Sequence, residues 1–136
     1  MYPIFTQTPF LVTKEILSYC AKITKNPKLV FIEPEPDDQA ALGKCFSNVQ
    51  KRIQTHGGMI QYGWLVQVFP RVVVEFEFHA VWKKNTDELV DITPQTPPYP
   101  GGPAEQVVLF LPVQDKEYTG IQIANLQFSL NNSQNT

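Results

Sequence analysis

The sequence predicts an α+β domain in which N-terminal helices pack on a twisted, mostly antiparallel sheet. Three observations carry this reading. Apolar residues recur at helical spacing in two stretches before residue 57, the Gly57-Gly58 pair interrupts the chain, and beyond it the apolar period changes to two. A chain of 136 residues with 43% apolar content has material for one sizeable core and too little for two. Residues 1–130 are therefore expected to form one domain, with the polar tail NNSQNT, 131–136, disordered.

The first helix is expected between Leu11 and Thr24, where Val12, Ile16, Leu17, Cys20 and Ile23 share a stripe and Asn26-Pro27 stops the pattern. KLVFIEPEP, 28–36, is short, β-branched and bounded by prolines, which fits a strand or an extended segment. In the second helix Leu42, Cys45, Phe46, Val49 and Ile53 lie on one face, and His56-Gly57-Gly58 ends it as a C-cap does. Asp37 or Asp38 is a candidate cap for its start. Strands follow at 60–69, 71–82, 88–93, 106–111 and 118–128. The ten residues PQTPPYPGGP, 94–103, contain five prolines and exclude regular structure.

With 13 acidic and 11 basic residues the net charge is −2, which offers no basic face for nucleic acid or an anionic membrane surface. No apolar run approaches the length needed to cross a bilayer. Two cysteines are too few for a disulfide scaffold, and MYPIFTQTPFLVTKE lacks the pattern of a secretion signal. A cytoplasmic protein with reduced thiols is the expectation. No phosphate-cradling glycine loop and no G-x-S-x-G elbow is present, and composition says nothing about oligomeric state.

The stretch EFEFHAVWKKNTDELVDITP, 75–94, carries the chemistry. If 71–82 and 88–93 form a hairpin around a three-residue loop at Lys84-Asn85-Thr86, His79 falls opposite Asp91. That register puts Phe78 opposite Ile92 and Ala80 opposite Val90 on an apolar face, while Glu77/Thr93, His79/Asp91 and Val81/Leu89 share the other. A one-residue slip would spoil the sorting. Opposed side chains have Cβ atoms roughly 5 Å apart, so Asp91 can orient the imidazole as a general base requires. Loops of two or five residues are alternatives.

An oriented base needs a group to activate, and Cys45 is the candidate nucleophile. If the helix starts near Gly43, its dipole favours an anionic Cys45 and the residue's own N–H helps form an oxyanion hole. If it starts at Asp38, Cys45 is buried in mid-helix and inert. Cys20, on the stripe of the first helix, reads as core packing. Trp64 and Trp82 read as core or cleft-wall aromatics, and with Glu77 and Asn48 they form the candidate substrate-binding set; Asn48 equally suits a local cap.

The order Cys at a helix start, His on a strand within HAVW (79–82), then Asp on the next strand within DITP (91–94), resembles the transglutaminase-like core of the papain-like cysteine enzymes. GKCF (43–46) supplies the cysteine, with 34 residues from Cys45 to His79 and 12 from His79 to Asp91. The resemblance implies a thiol nucleophile at Cys45, a general base and acid at His79, an orienting carboxylate at Asp91, and an oxyanion donor at Gln39, six residues before the cysteine. It implies a peptide or protein substrate carrying an amide and requires no cofactor. CFSNV (45–49), GG (57–58), YGW (62–64), EFHAVW (77–82), DITP (91–94) and LFLP (109–112) also look like the pattern of an uncharacterised group of proteins, some coupled to a SEC-C motif, which is absent here.

Two other readings exist. Glu75, Glu77 and His79 alternate along one strand face and Asp91 would join them, a set that could hold a divalent metal. A binding domain without chemistry could use the proline-rich segment as an extended ligand or as a lid over a cleft.

Overall fold

The computed structural model describes residues 6–97 and 100–130. The expected disordered tail, 131–136, and Pro98-Tyr99 of the proline-rich segment lie outside the described residues. The chain is α+β, with two helices and a sheet whose pairings are all antiparallel among the described residues.

Helix α1, Lys14–Ile23, is shorter than the apolar stripe suggested because the Thr13 side chain accepts from the Ile16 N–H at 3.1 Å and fixes the start. Ile16 and Cys20 are its buried residues, whereas Leu11, Val12 and Leu17 face outward. Strand β1, Val30–Ile32, is a three-residue piece of the 28–36 segment. Helix α2, Cys45–His56, begins directly at the cysteine. Neither Asp37 nor Asp38 caps it: Asp37 instead holds Arg52 at 2.6 Å, and the N-cap is Lys44 with no side-chain hydrogen bond. Gly57, at φ 75°, ends α2 in a left-handed conformation that glycine adopts freely.

Strands β2, Met59–Phe69, and β3, Val73–Lys83, pair over their whole length. Residues 70–72, expected in part as strand, make the connecting turn, with Arg71 at φ 68°. Strand β4, Leu89–Val90, pairs with β3 in a register two residues from the expected one, Trp82 opposite Val90 and Lys83 opposite Leu89. The loop is indeed three residues long, but it is Asn85-Thr86-Asp87, closed by hydrogen bonds of Lys84 N–H to Glu88 O and of Asp87 N–H to Lys84 O. The last loop residue must take a positive φ. Asp87 does so at 71°, a conformation an aspartate tolerates and the β-branched Thr86 of the expected loop would resist. A shift of two keeps every side chain on its face, so the apolar sorting survives the slip.

Strand β5, Val108–Pro112, inserts between β1 and β2, and β6, Leu126–Ser129, pairs with the first half of β3. The expected strand over 118–128 is realised only from 126; its earlier part, with Gly120 at φ 99°, crosses the surface without strand pairing. Beyond β1, Glu35 N–H donates to Asp91 O and Asp37 N–H to Ile92 O, both at 2.9 Å. These bonds bring the two ends of the strand order β1-β5-β2-β3-β4 together, so the sheet is nearly closed.

The helices cover the outer face. Ile16 and Cys20 of α1 pack with Trp64, Phe76, Phe78 and Leu111, and Cys45 and Val49 of α2 pack with Ala80, Trp82, Val90 and Ile92. The inner face holds a smaller apolar group, Ile32, Leu65, Val81, Val108 and Phe110, alongside His79 and Asp91. Gly63, opposite His79, makes room there for the Phe110 ring: a Cβ at this position would lie 2.5 Å from Phe110 Cζ and closer still to the Leu111 carbonyl oxygen. Backbone cannot yield to that contact. Gly63→Ala is expected to lower stability by about 1–3 kcal/mol through overpacking, measured by urea unfolding.

Candidate active site

The outer edge of β3 positions the site. β6 pairs with it as far as Phe76 and β4 resumes at Trp82, so residues 77–81 have no strand on that side. The start of α2 enters this opening. The helix lies on the Ala80/Trp82 face and His79 on the opposite one. Sulfur and imidazole meet around the unpaired strand edge, where a side chain from either face can pass. The Cys45 sulfur hydrogen-bonds the His79 ring. His79 Nε2 lies 3.1 Å from Asp91 Oδ2.

Asp91 is fully buried and both of its oxygens are hydrogen-bonded. Oδ1 accepts from the Thr93 N–H at 3.2 Å, an Asx turn that takes Asp91 out of the ladder and ends β4 at Val90. Oδ2 accepts from the Gln95 amide at 3.0 Å in addition to its contact with His79. Phe110, 6.4 Å away, presents its ring edgewise to the imidazole. Burial alone would pull the His79 pKa down, but the Asp91 charge and hydrogen bond, reinforced by the Cys45 sulfur, raise it from 6.5 to about 10. The site thus favours an imidazolium between a carboxylate and a sulfur.

Cys45 is 8% exposed and His79 6%, and both line an open cleft of about 520 Å³. Phe46 and Tyr118, stacked at 4.1 Å, form one wall and Thr93, Gln95 and Thr96 another. The N–H groups of Cys45, Phe46 and Ser47 precede the first intrahelical bond, from Asn48 N–H to Lys44 O, and point along the axis toward this opening. The first turn of α2 therefore adds partial positive charge beside the sulfur.

Not every candidate residue arrives here. Glu77 does: it lines the cleft, exposed, and burial of part of its surroundings raises its pKa while the charge on His79 opposes. Gln39 does not. It sits exposed in a turn, its N–H bonded to Asp37 Oδ1, because the chain between 37 and 44 folds into two successive turns instead of running to the sulfur. Asn48 faces inward, pairing with both backbone groups of Ala41 and donating to Thr93 Oγ1 at 3.1 Å. It fixes the loop before Cys45 and ties α2 to Thr93, two residues after the acid. Trp64 is core, packed edge-on against Phe78, and Trp82 donates to Gly57 O at the far end of α2, with Arg52 over its ring. Both lie away from the cleft. Glu75 pairs with Gln127 at 2.7 Å, and no group of three or more His, Cys, Asp or Glu side chains converges on a metal-sized point among the described residues.

The residue missed in the sequence is Gln95, hidden in the proline-rich segment. The D-x-T pattern that signals an Asx turn marks Thr93, but nothing marks the amide that follows it. Because the His79 pKa is raised on folding, its stabilising contribution is complete below about pH 6.5, shrinks above that and is gone beyond about pH 10. The melting temperature is expected to fall by several degrees from about pH 7 to about pH 10, at about 4 °C per kcal/mol, and to fall less in His79→Gln, as read by calorimetry. Compared with protein-family models, with curated proteins and with solved structures, the chain matches none.

Proposed function

We propose that the protein is a thiol enzyme performing acyl transfer or amide hydrolysis through a thioester at Cys45, on a fold of the transglutaminase-like, papain-like kind. The observation that carries this reading is the hydrogen-bonded series Cys45–His79–Asp91, opening into a cleft at an uncapped helix start. The Cys45 sulfur attacks the carbonyl carbon of an amide, forming the C–S bond. The oxyanion is received by the free N–H groups of the first turn of α2, which take the role expected of Gln39. As the intermediate collapses the C–N bond breaks and His79 gives its proton to the leaving amine. Neutral His79 then takes a proton from water or from a second amine as that molecule attacks the thioester, releasing the acyl group and restoring the sulfur. Peptidase, deamidase and transamidase chemistry share the first half. The partner is a peptide or protein bearing an amide, and a nucleophilic thiol suits a reducing, cytoplasmic setting. Both cysteines are free, and no helix among the described residues is long and apolar enough to cross a membrane.

Cys20 is the internal control, since it is fully buried with its pKa pushed up to about 11 by desolvation. Incubation with p-nitrophenyl acetate should acetylate Cys45 and leave Cys20 untouched, read by mass spectrometry of tryptic peptides. His79→Ala should slow that acylation by about 100-fold. Equal and slow modification of both cysteines would instead favour an interaction domain without chemistry.

A further inference from the structure

Gln95 makes two hydrogen bonds through a single atom. Its Nε2 donates to Asp91 Oδ2 and to the Thr93 carbonyl oxygen, each at 3.0 Å. Both partners are oxygen acceptors, which fixes the orientation of the amide. The oxygen it contacts on Asp91 is the one that faces His79. Gln95 is half-buried and lines the cleft, whereas Asp91 beneath it is 0% exposed. It is therefore part of the cover between the carboxylate and the cleft.

The backbone around this amide is stiff. Pro94 fixes its own φ and restricts Thr93, and Pro97 restricts Thr96. Holding Gln95 against Asp91 thus costs little conformational entropy. Thr93 is anchored separately, its N–H to Asp91 Oδ1 and its hydroxyl to Asn48 of α2. Thr93 and Gln95, on either side of Pro94, consequently bond both oxygens of the acid.

We infer that Gln95 is a positioning residue, which holds the Asp91 carboxylate in the plane that orients His79 and makes the entry of the proline-rich segment part of the catalytic apparatus. The inference rests on the acyl-transfer reading for its catalytic meaning. Its physical content, a hydrogen bond that sets the Asp91–His79 pair, is measurable without turnover.

Two variants test it. Gln95→Leu keeps the bulk and removes the donor; Gln95→Glu keeps the shape and replaces the donor with a carboxyl 3.0 Å from Asp91 Oδ2. Two carboxyls sharing one site bind a proton strongly, and one of the pair titrates far above its usual range. The readouts are the iodoacetamide alkylation rate of Cys45 across pH and the NMR titration of the His79 ring, in samples whose near-ultraviolet circular dichroism matches the parent. Gln95→Leu is expected to slow alkylation near neutral pH by about tenfold. Gln95→Glu is expected to add an ionisation, absent from the parent, to both the alkylation profile and the His79 titration. Parent-like profiles and titrations in both variants would overturn the inference. If parent Cys45 alkylates no faster than Cys20 while Gln95→Glu still alters the His79 titration, the positioning bond stands and the acyl-transfer reading falls.

Discussion

A carboxylate with no exposure to water organises this molecule. Removing Asp91 from solvent is costly unless its charge is matched and its oxygens are bonded, and the structure supplies a cation-forming ring, an amide and a backbone N–H. Each donor belongs to a segment whose path is thereby restricted. His79 lies at the middle of β3, Thr93 begins the departure from the hairpin, and Gln95 starts the proline-rich crossing. The Asp91 main chain adds a fourth constraint, because its carbonyl oxygen accepts from Glu35 and closes the sheet.

The helix that carries the sulfur is tied to the same point by a second route. Asn48, three residues after Cys45, grips Ala41 on one side and Thr93 on the other. Cys45 and Asp91 therefore sit on elements cross-linked through one buried amide, and their relative placement does not depend on the thiol–imidazole contact itself. Such secondary support is what precise positioning of reactive groups requires. The aromatic layer does related work on the other side, where Phe110 fills the space that Gly63 leaves open and steadies the imidazole.

Much of this was legible in the sequence. Period-two alternation put His79 and Asp91 on one face, and parity protected that conclusion even though the hairpin register lies two residues away. The error came from turn chemistry: the positive φ at Asp87 is a property of one residue's backbone, invisible to a count of apolar positions. The start of α2 was left open between Gly43 and Asp38, since either side of that choice preserves the same stripe. Which face of the sheet the helix would cover was not legible at all. A stripe says that a helix is amphipathic and not where it docks, and the gap between β4 and β6 that lets the groups meet arises from two strands far apart in the chain. Trp64 and Trp82 misled for a simpler reason, because large aromatics suit cores and cleft walls equally.

The seam between residues 35–37 and 91–92 has a temporal side. It joins segments far apart along the polypeptide, and β5 and β6, which complete the sheet, come still later. Contacts of this span are slow to form because loop closure precedes any gain from them. During synthesis the cysteine leaves the ribosome well before its imidazole, and the imidazole before the strands that enclose it. A growing chain consequently lacks the Cys45–His79–Asp91 arrangement, which comes into being only with the finished sheet.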